Sequence, residues 1–450
     1  MIVPSDITGA DTIAAIATAP GRAALATLRI SGPTAVEIAK SILVPRIEAE
    51  RRSTHTRVVN SDGSAIDDVV ATLFRAPRSS TGEDVLEISC HGGWTAPALI
   101  LACVLGAGAR QALPGEFTRR AVLNGKLDLV QAEAVGDLIE ARSQAAFQVA
   151  RRQLDGGLSA RLEALRADVL HLEALLAYDI DFPEEDDGPV AHAHVTEAAL
   201  DILGALEALL ATSGQGALVH DGALIVITGP PNADKSSLFN ALLGEARAIV
   251  TEIPGTTRDA IEAVVDRPGW PLRLVDTAGI RATSDPIEKL GVEATRRYLE
   301  RADVVVHCVD GSRDTPVSVE ATPPDVPVIR VRTKADLATE HDADGDMPVS
   351  AFTGYGLMAL LDAISTRLSE VRGSPALDAP ILTRARHQFA VREAIQEISA
   401  FEAAWRAHAL PAPVAAVHIR AAADALGELI GSVGTDDVLD AVFSSFCVGK

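Results

Sequence analysis

Residues 229–237 read GPPNADKSS and follow the apolar run Ala223-Leu224-Ile225-Val226-Ile227-Thr228. An apolar strand, a glycine, four residues and then a small residue, lysine and serine make up the phosphate-binding loop G-x-x-x-x-G-K-[ST]. In such a loop, backbone N–H groups converge on phosphate at a helix N-terminus. Lys235 would reach the β and γ oxygens and Ser236 would ligate Mg²⁺, with Asn232, Ala233, Asp234 and Ser237 completing the cradle. One position departs from the pattern. Glycine is expected before the lysine, and Asp234 stands there.

A carboxylate at that position brings negative charge close to oxygens that are already negative, and it gives up glycine's conformational freedom. Lys235 could also turn to Asp234 and leave the phosphate. The expectation is weakened or lost nucleotide binding. The opposing reading has the Asp234 side chain tilt outward and be tolerated.

Other short segments lie downstream in a matching order. Asp276-Thr277-Ala278-Gly279 ends an apolar strand, as a Mg²⁺-side carboxylate and a γ-phosphate-sensing glycine would. PGTTRD (254–259) lies between the two, where a switch threonine belongs. Thr333-Lys334-Ala335-Asp336 follows another apolar strand. An aspartate there accepts from the N1 and N2 donors of guanine, which adenine lacks. Such a loop usually opens with Asn, and the Thr333 hydroxyl can supply part of the bracing that an amide gives. Ser350-Ala351-Phe352 follows the next strand. Each segment alone is an ordinary turn; in this order, each on its own loop, they predict a GTP-binding α/β domain.

The elements that must position these loops follow from periodicity. Between 216 and 372, apolar runs alternate with helical stretches, which implies a mostly parallel, doubly wound sheet. Its strands are ALIVIT, WPLRLVD, DVVVHCVDG, VPVIRVRT and DMPVSAF. Residues 1–118 read as short strands with turns plus helices at PTAVEIAKSIL and after His91-Gly92-Gly93, an α+β pattern. Leu158, Leu162, Leu165, Val169, Leu172 and Leu176 step by three and four, one apolar stripe on a helix. The predicted organisation is multidomain. An α+β domain (1–118) precedes an all-α domain split into 119–215 and 373–450. An α/β P-loop GTPase (Ras-like) domain (216–372) is inserted between the two helical parts. SGQG (213–216) is read as the break before the insertion.

Composition limits the alternatives. Apolar residues are 48% and aromatics 4%, so the cores are aliphatic. No run approaches roughly 20 uninterrupted apolar residues, and the N-terminal residues lack a basic n-region, so neither a membrane span nor a secretory signal is expected. Cys90, Cys103, Cys308 and Cys447 are widely spaced, which fits reduced thiols in the cytoplasm and no zinc site. His91, and His192 with His194, lack a further ligand and read as packing or solvated residues. A net charge of −22 lacks the basic excess of a protein held to nucleic acid by phosphate contacts, leaving a local patch or a partner for RNA.

TGEDVLEISCHGG (81–93), PGEFTRRAVLNGKLDLVQAEAVGDLIEA (114–141) and FSSFCVGK (443–450), with the loops above, resemble the MnmE (TrmE) family of tRNA-modification GTPases over essentially the full length. The resemblance implies a folate-binding, dimerising N-terminal domain, a discontinuous helical domain and an inserted G domain. It implies a homodimer that works with the flavoprotein MnmG. That complex adds an aminomethyl or carboxymethylaminomethyl group at C5 of the wobble uridine (U34) of certain tRNAs, and tRNA is held mainly through it. The implied cofactors are GTP, K⁺, Mg²⁺ and a 5,10-methylene- or 5-formyl-tetrahydrofolate, with FAD and NADH brought by the partner.

Position by position, the resemblance makes Asn232 a K⁺ ligand and puts Thr251, Ile253 and Thr256 around that ion, in a loop that also holds Glu252, Pro254 and Gly255. It makes Thr257 the Mg²⁺-binding switch threonine and Glu288, after Asp285 and Ile287, the catalytic glutamate that orients water indirectly. Arg29, Glu87, Lys126 and Lys450 match folate-contacting positions, whose charges suit a pterin and a carboxylate tail. Ala23 and Ala24 stand where glycines are common in the neighbouring loop. Cys447 matches the C-terminal cysteine, either a reactive thiol or a small residue beside Phe443 and Phe446. Without the resemblance, Glu288 reads as a solvated charge.

Two other functions compete. One is a GTPase-inactive, folate-binding scaffold of the same architecture, silenced by Asp234. The other is a ribosome-assembly GTPase, which would be expected to carry a basic RNA-binding module; the acidic charge and the segments 81–93, 114–141 and 443–450 weigh against it.

Overall fold

The computed structural model describes residues 11–47, 49–181, 192–245, 261–267, 269–277, 295–311, 324–337, 346–373, 377–407, 411–432, 439, 442–443 and 446–450. The chain forms two compact units, 1–136 with 427–450, and 137–426.

The first unit runs β1 (Ile13–Ile16), β2 (Leu25–Ser31), α1 (Ala35–Ile42), β3 (Leu43–Val44), β4 (Thr54–Val59), β5 (Ala65–Phe74), β6 (Val85–His91), α2 (Thr95–Gly106), β7 (Arg110–Gln111) and α3 (Glu116–Leu123), and α4 (Leu129–Glu140) starts in it. One sheet orders the strands β3-β4-β5-β6-β2-β1-β7. Period-2 alternation sends Leu28, Ile30, Leu86, Ile88, Val69 and Ala71 into one core with Ile38, Ile100 and Val104 of α1 and α2. The opposite face of β2 and β6 carries Arg29 directly across from Glu87.

Segment 114–120 is held by buried charge. Arg120, 1% exposed, donates to Asp11 Oδ1 (2.7 Å), Glu116 Oε1 (3.1 Å) and Glu83 Oε1 (3.2 Å). Arg110 donates to the same Glu116 (2.6 Å), whose other oxygen accepts the Leu113 N–H (2.8 Å). Burial alone would raise the Glu116 carboxyl, but Arg110, the Leu113 amide and Arg120 hold it below the usual carboxylate range. Gly115 has φ +67°, and a Cβ there would come within 2.8 Å of the Phe443 carbonyl. The C-terminal tail docks on this segment, with Pro114 bridged to Val448 and the Phe117 N–H donating to the Lys450 main-chain oxygen at 3.0 Å.

The second unit holds α5 (Gln144–Leu154), α6 (Gly157–Asp181), α7 (His192–Ala211), α8 (Ser213–Asp221), β8 (Ala223–Thr228), α9 (Lys235–Glu245), β9 (Ile261–Val265) and β10 (Leu272–Asp276). A helix over 295–301 (α10) follows. Next come β11 (Val304–Asp310), β12 (Val328–Thr333), β13 (Met347–Pro348), α11 (Leu357–Arg372), α12 (Ala385–Arg406) and the start of α13 (Ala412–Ile430). The sheet order is β13-β12-β11-β8-β10-β9, parallel except for β9 against β10. The predicted stripe of α6 is buried at all six positions.

SGQG does not break the chain; it is the first turn of α8. Gly216 is there for close approach, since a Cβ would lie 2.1 Å from the Leu382 carbonyl. The run 192–221 is long and apolar enough by composition to cross a membrane, against the sequence expectation. Its Val195, Ala199, Ile202, Leu206 and Leu209 are nonetheless buried inside the unit, and His192 stacks on Trp405 of α12 at 4.8 Å. One apolar stripe of this run is therefore packed against the unit, while Leu200 is exposed.

An ionic clasp ties α4, α8 and the residue before α12. His220 bridges Asp221 (2.9 Å) and Asp137 (3.2 Å), and Arg384 ion-pairs the same Asp137. Hydrogen bonds to Asp137 and Asp221 push the imidazole up to about 9. Burial would raise Asp137, but His220 and Arg384 hold its carboxyl low. Arg273 adds a further positive charge beside Asp221. A raised histidine contributes stability that is complete below its ordinary value of about 6.5 and is lost as pH rises through the folded value. His220→Gln should therefore cost about 2 kcal/mol near neutral pH. It should also flatten the decline in thermal midpoint that the parent chain shows as pH climbs toward 10, which thermal denaturation across pH will measure.

Candidate nucleotide site at the strand ends

The carboxyl ends of β8, β10, β11 and β12 meet at one edge of the second sheet. Gly229 leaves β8 with φ +142°, and a Cβ there would lie 2.3 Å from the Cys308 carbonyl, so the loop must start with glycine. Asn232 and Asp234 both adopt left-handed φ (65° and 52°). Ala233 and Lys235 are buried, Asp234 is half-buried, and Ser236 and Ser237 are exposed. The Leu238 N–H donates to the Asp234 carbonyl at 2.8 Å, so Asp234 is the residue from which α9 springs. Lys235 Nζ donates to the Pro230 carbonyl at 2.8 Å and thereby curls under the loop.

Ser236 Oγ donates to Asp276 Oδ2 at 2.5 Å, joining the first turn of α9 to the end of β10. Thr277 Oγ1 ties the same strand end to the Ile227 carbonyl at 2.9 Å. Cys308 lies buried beneath the loop; desolvation above all pushes its thiol up to about 12, with Asp276 and Asp234 adding to the shift and Lys235 opposing it. A thiol so raised is a packing group.

The guanine-type loop is braced as its residue types suggest. Thr333, 2% exposed, donates its hydroxyl to the Val309 carbonyl at 3.0 Å. Lys334, at φ 57°, donates to the Asn232 carbonyl (3.2 Å) and so crosses to the phosphate loop. The Ala335 N–H donates to the Val349 carbonyl, and Ser350 Oγ donates to Asp336 Oδ1 at 2.5 Å. Ala351 is half-buried, and Phe352 stands 91% exposed beside this loop. One member was missed from sequence: Asp310, which accepts from Lys334 Nζ at 2.8 Å. Its signal was the Asp-Gly ending the run DVVVHCVDG.

Thr251, Glu252, Ile253, Pro254, Gly255, Thr256, Thr257, Ala278, Gly279 and Glu288 lie outside the described residues. A cavity of about 650 Å³ opens elsewhere in this unit, at the clasp. Its walls nearly balance in charge, with Asp137, Glu140, Asp221 and Glu262 against Arg142, His220 and Arg273. The anion-seeking features, a helix N-terminus and a buried lysine, are at the strand ends instead.

In the first unit, Arg29 and Glu87 form a direct ion pair at 2.8 Å, and the Arg29 guanidinium sits 5.8 Å over the Phe117 ring. Phe117 in turn bonds the Lys450 main chain. Lys126 belongs to a neighbouring turn, where its Nζ donates to the Pro77 carbonyl at 3.2 Å. Cys447 is exposed, and its carbonyl accepts from Gly115. Phe446 packs at 5.4 Å from Phe443.

Two family models match: GTP-binding protein TrmE N-terminus over residues 12–126, and MnmE helical domain over residues 129–447. Three similar curated proteins carry the name tRNA modification GTPase MnmE. That of Geobacter metallireducens is 41% identical, with 98% of this chain and 99% of the relative covered. Those of Laribacter hongkongensis and Listeria welshimeri are 42% and 40% identical over the same shares.

Thr333→Val keeps the shape at the loop and removes the donor to Val309. We expect a loss of about 1–2 kcal/mol in chemical denaturation, most of it recovered by Thr333→Ser.

Proposed function

Because the chain belongs to the MnmE family of tRNA modification GTPases, we propose that it couples guanine-nucleotide hydrolysis to modification of tRNA at C5 of the wobble uridine. In this reading it acts as a homodimer with a flavin-dependent MnmG partner that brings FAD and NADH. The product is an aminomethyl or carboxymethylaminomethyl group. The observation that carries the nucleotide half is the Ser236–Asp276 contact at 2.5 Å next to buried Lys235.

The residues fit a Mg²⁺-nucleotide in part. Ser236 Oγ and Asp276 Oδ2 are hard oxygen donors already side by side, the chemistry Mg²⁺ prefers. Bound there, the ion would neutralise charge on the phosphate oxygens. Lys235 would leave the Pro230 carbonyl for a phosphate, and the first amides of α9 would face it. Asp336, held by Ser350, would accept from the guanine edge, while Lys334 keeps the two loops together. Asn232 would hold K⁺ with Thr251, Ile253 and Thr256, Thr257 would join the Mg²⁺ shell, and Glu288 would orient water. Monovalent charge at that point does the work of an arginine finger. In the first unit, the Arg29–Glu87 pair, with Lys126 and Lys450, would take a tetrahydrofolate derivative: a carboxylate for the pterin, cations for the tail.

Asp234 does not fit. Its carboxylate belongs to the residue that starts α9, where a phosphate would need to sit. That specific observation favours a second reading, a folate-binding scaffold of the same complex with a silenced G domain.

One titration separates the two. A fluorescent GTP analogue is added to the parent chain and to Asp234→Gly, each with Mg²⁺ in KCl and in NaCl. We expect the variant to bind about 100-fold more tightly, equivalent to about 2.7 kcal/mol, and to hydrolyse GTP faster in KCl. Equally tight binding by both chains would refute the charge argument and leave an active K⁺-dependent GTPase. Weak binding by the parent, with tight binding only in the variant, would favour the silenced scaffold.

The folate assignment has its own check. Glu87→Gln should weaken binding of 5-formyltetrahydrofolate by about 10-fold, read by fluorescence quenching, without changing nucleotide affinity.

A further inference from the structure

Arg51, Arg52, Arg78 and Lys126 of the first unit are exposed and have no acidic partner among the described residues, and two of them, Arg51 and Lys126, reach the same turn at Pro77 and Arg78. Arg51 donates to the Arg78 carbonyl, and Lys126 donates to the Pro77 carbonyl, so two of the cations are pinned to one turn by neutral acceptors. A carbonyl fixes an ammonium or guanidinium without cancelling its charge. Nearby Arg75 shows the alternative: Asp84 (2.7 Å) and Glu50 (3.6 Å) both pair with it, so these acids are engaged by Arg75 and leave one negative charge against the patch's four positive ones.

The backbone supports the same spot. Among the described residues, four non-glycine residues have positive φ. Three of them, Asn232, Asp234 and Lys334, are in the candidate nucleotide site. The fourth is Arg51 (φ 54°), whose N–H is fixed to the Leu73 carbonyl at 2.8 Å. Left-handed backbone at a side chain with a Cβ costs of order 1 kcal/mol and persists where the surroundings impose it, commonly at functional positions.

We propose that this patch is a contact surface for the phosphate backbone of tRNA. The inference rests on the functional reading above and deepens it. A chain of net charge −22 repels a polyanion nearly everywhere. An RNA that lands on it must land where positive charge is unneutralised, and guanidinium forks suit phosphate oxygens. Phosphate contacts set position and affinity and carry no sequence preference, which leaves choice of the wobble base to other parts of the complex.

The test uses the full chain and fluorescently labelled, unmodified total tRNA, with binding followed by anisotropy across a KCl series. Three chains are compared: the parent, the triple variant Arg51→Gln/Arg52→Gln/Arg78→Gln, and a control. The control carries Arg151→Gln/Arg296→Gln/Arg367→Gln, three arginines that are already ion-paired. For the patch variant we expect a slope of log affinity against log salt shallower by about 2, and affinity lower by about 10- to 100-fold at about 0.1 M salt. Its thermal midpoint should be unchanged.

An unchanged slope overturns the proposal. So does an equal fall in the control, which would be a whole-molecule charge effect, and so does no tRNA binding by the parent. Weaker binding of a folate pentaglutamate with an unchanged tRNA slope also overturns it and gives the patch to a polycarboxylate tail. Modification of tRNA by parent and variant, each with the flavoprotein, separates the two levels. Modification that persists beside an unchanged slope sinks the patch alone. Modification absent from the parent, beside a patch-dependent slope, sinks the functional reading alone.

Discussion

Parallel pairing of β8 with β10 and β11, and of β11 with β12, runs four strands in one direction. Their carboxyl ends therefore share an edge, and the candidate site has nowhere else to form. Burial makes this stricter. β8 is buried at every position and β11 at all but its last, so a polar side chain inside either strand would need its own partner. Inside these two strands His307 is the one such residue, and the residues that close the four strands are polar: Thr228, Asp276, Asp310 and Thr333. Antiparallel β9 enters at the same edge, with Ile261 opposite Asp276. β9 thus begins next to Asp276, and the proposed switch residues precede it in the sequence.

Within that edge the N-terminus of α9 can satisfy one anion well. Its free amides and dipole stabilise a nearby carboxylate by about 0.3–1 kcal/mol and would stabilise a phosphate in the same way. Asp234 puts a carboxylate-bearing residue there by covalent attachment. Folding and ligand binding then pull on one position in opposite directions. The left-handed φ of Asp234 adds strain that glycine would not carry, although aspartate bears it better than most residues. Ser236–Asp276 and Lys334–Asn232 are unaffected by this contest, because they join neighbouring loops without using the amides at the head of α9.

Much of this was legible in the sequence, and the parts that were not share a cause. The apolar stripe from Leu158 to Leu176, the alternating strands of the first unit and the strands that lead into GPPNADKSS, Asp276 and Thr333 are local patterns, and each appears as a matching element. The two-residue strands β3 and β7 have no period to detect and exist only through their neighbours. SGQG looked like a breaker because glycine usually is one, whereas Gly216 answers to a carbonyl about 170 residues away in the chain. The His220 clasp and the pairing of Val448 with Pro114 are long-range contacts of single residues, which leave no trace in spacing. Asp234 was visible as a chemical anomaly, but its positive φ required coordinates.

The segment PGEFTRR is organised by buried ion pairs. Glu116 and Arg120, each 1% exposed, form a charged pair closed by Arg110, Asp11 and Glu83. Loss of either acid or base would leave a buried charge uncompensated, a cost of several kcal/mol, so the segment tolerates little change. The pair fixes the start of α3, the start of α3 fixes Phe117, and Phe117 holds both the Lys450 main chain and the Arg29 guanidinium. Arg29 then meets Glu87 across the β2–β6 register. The ion pair proposed to receive a folate is therefore oriented by a second, buried set of ion pairs one layer beneath it. The C-terminal residues reach it only because Gly115 and Gly449 have no side chain to block their approach.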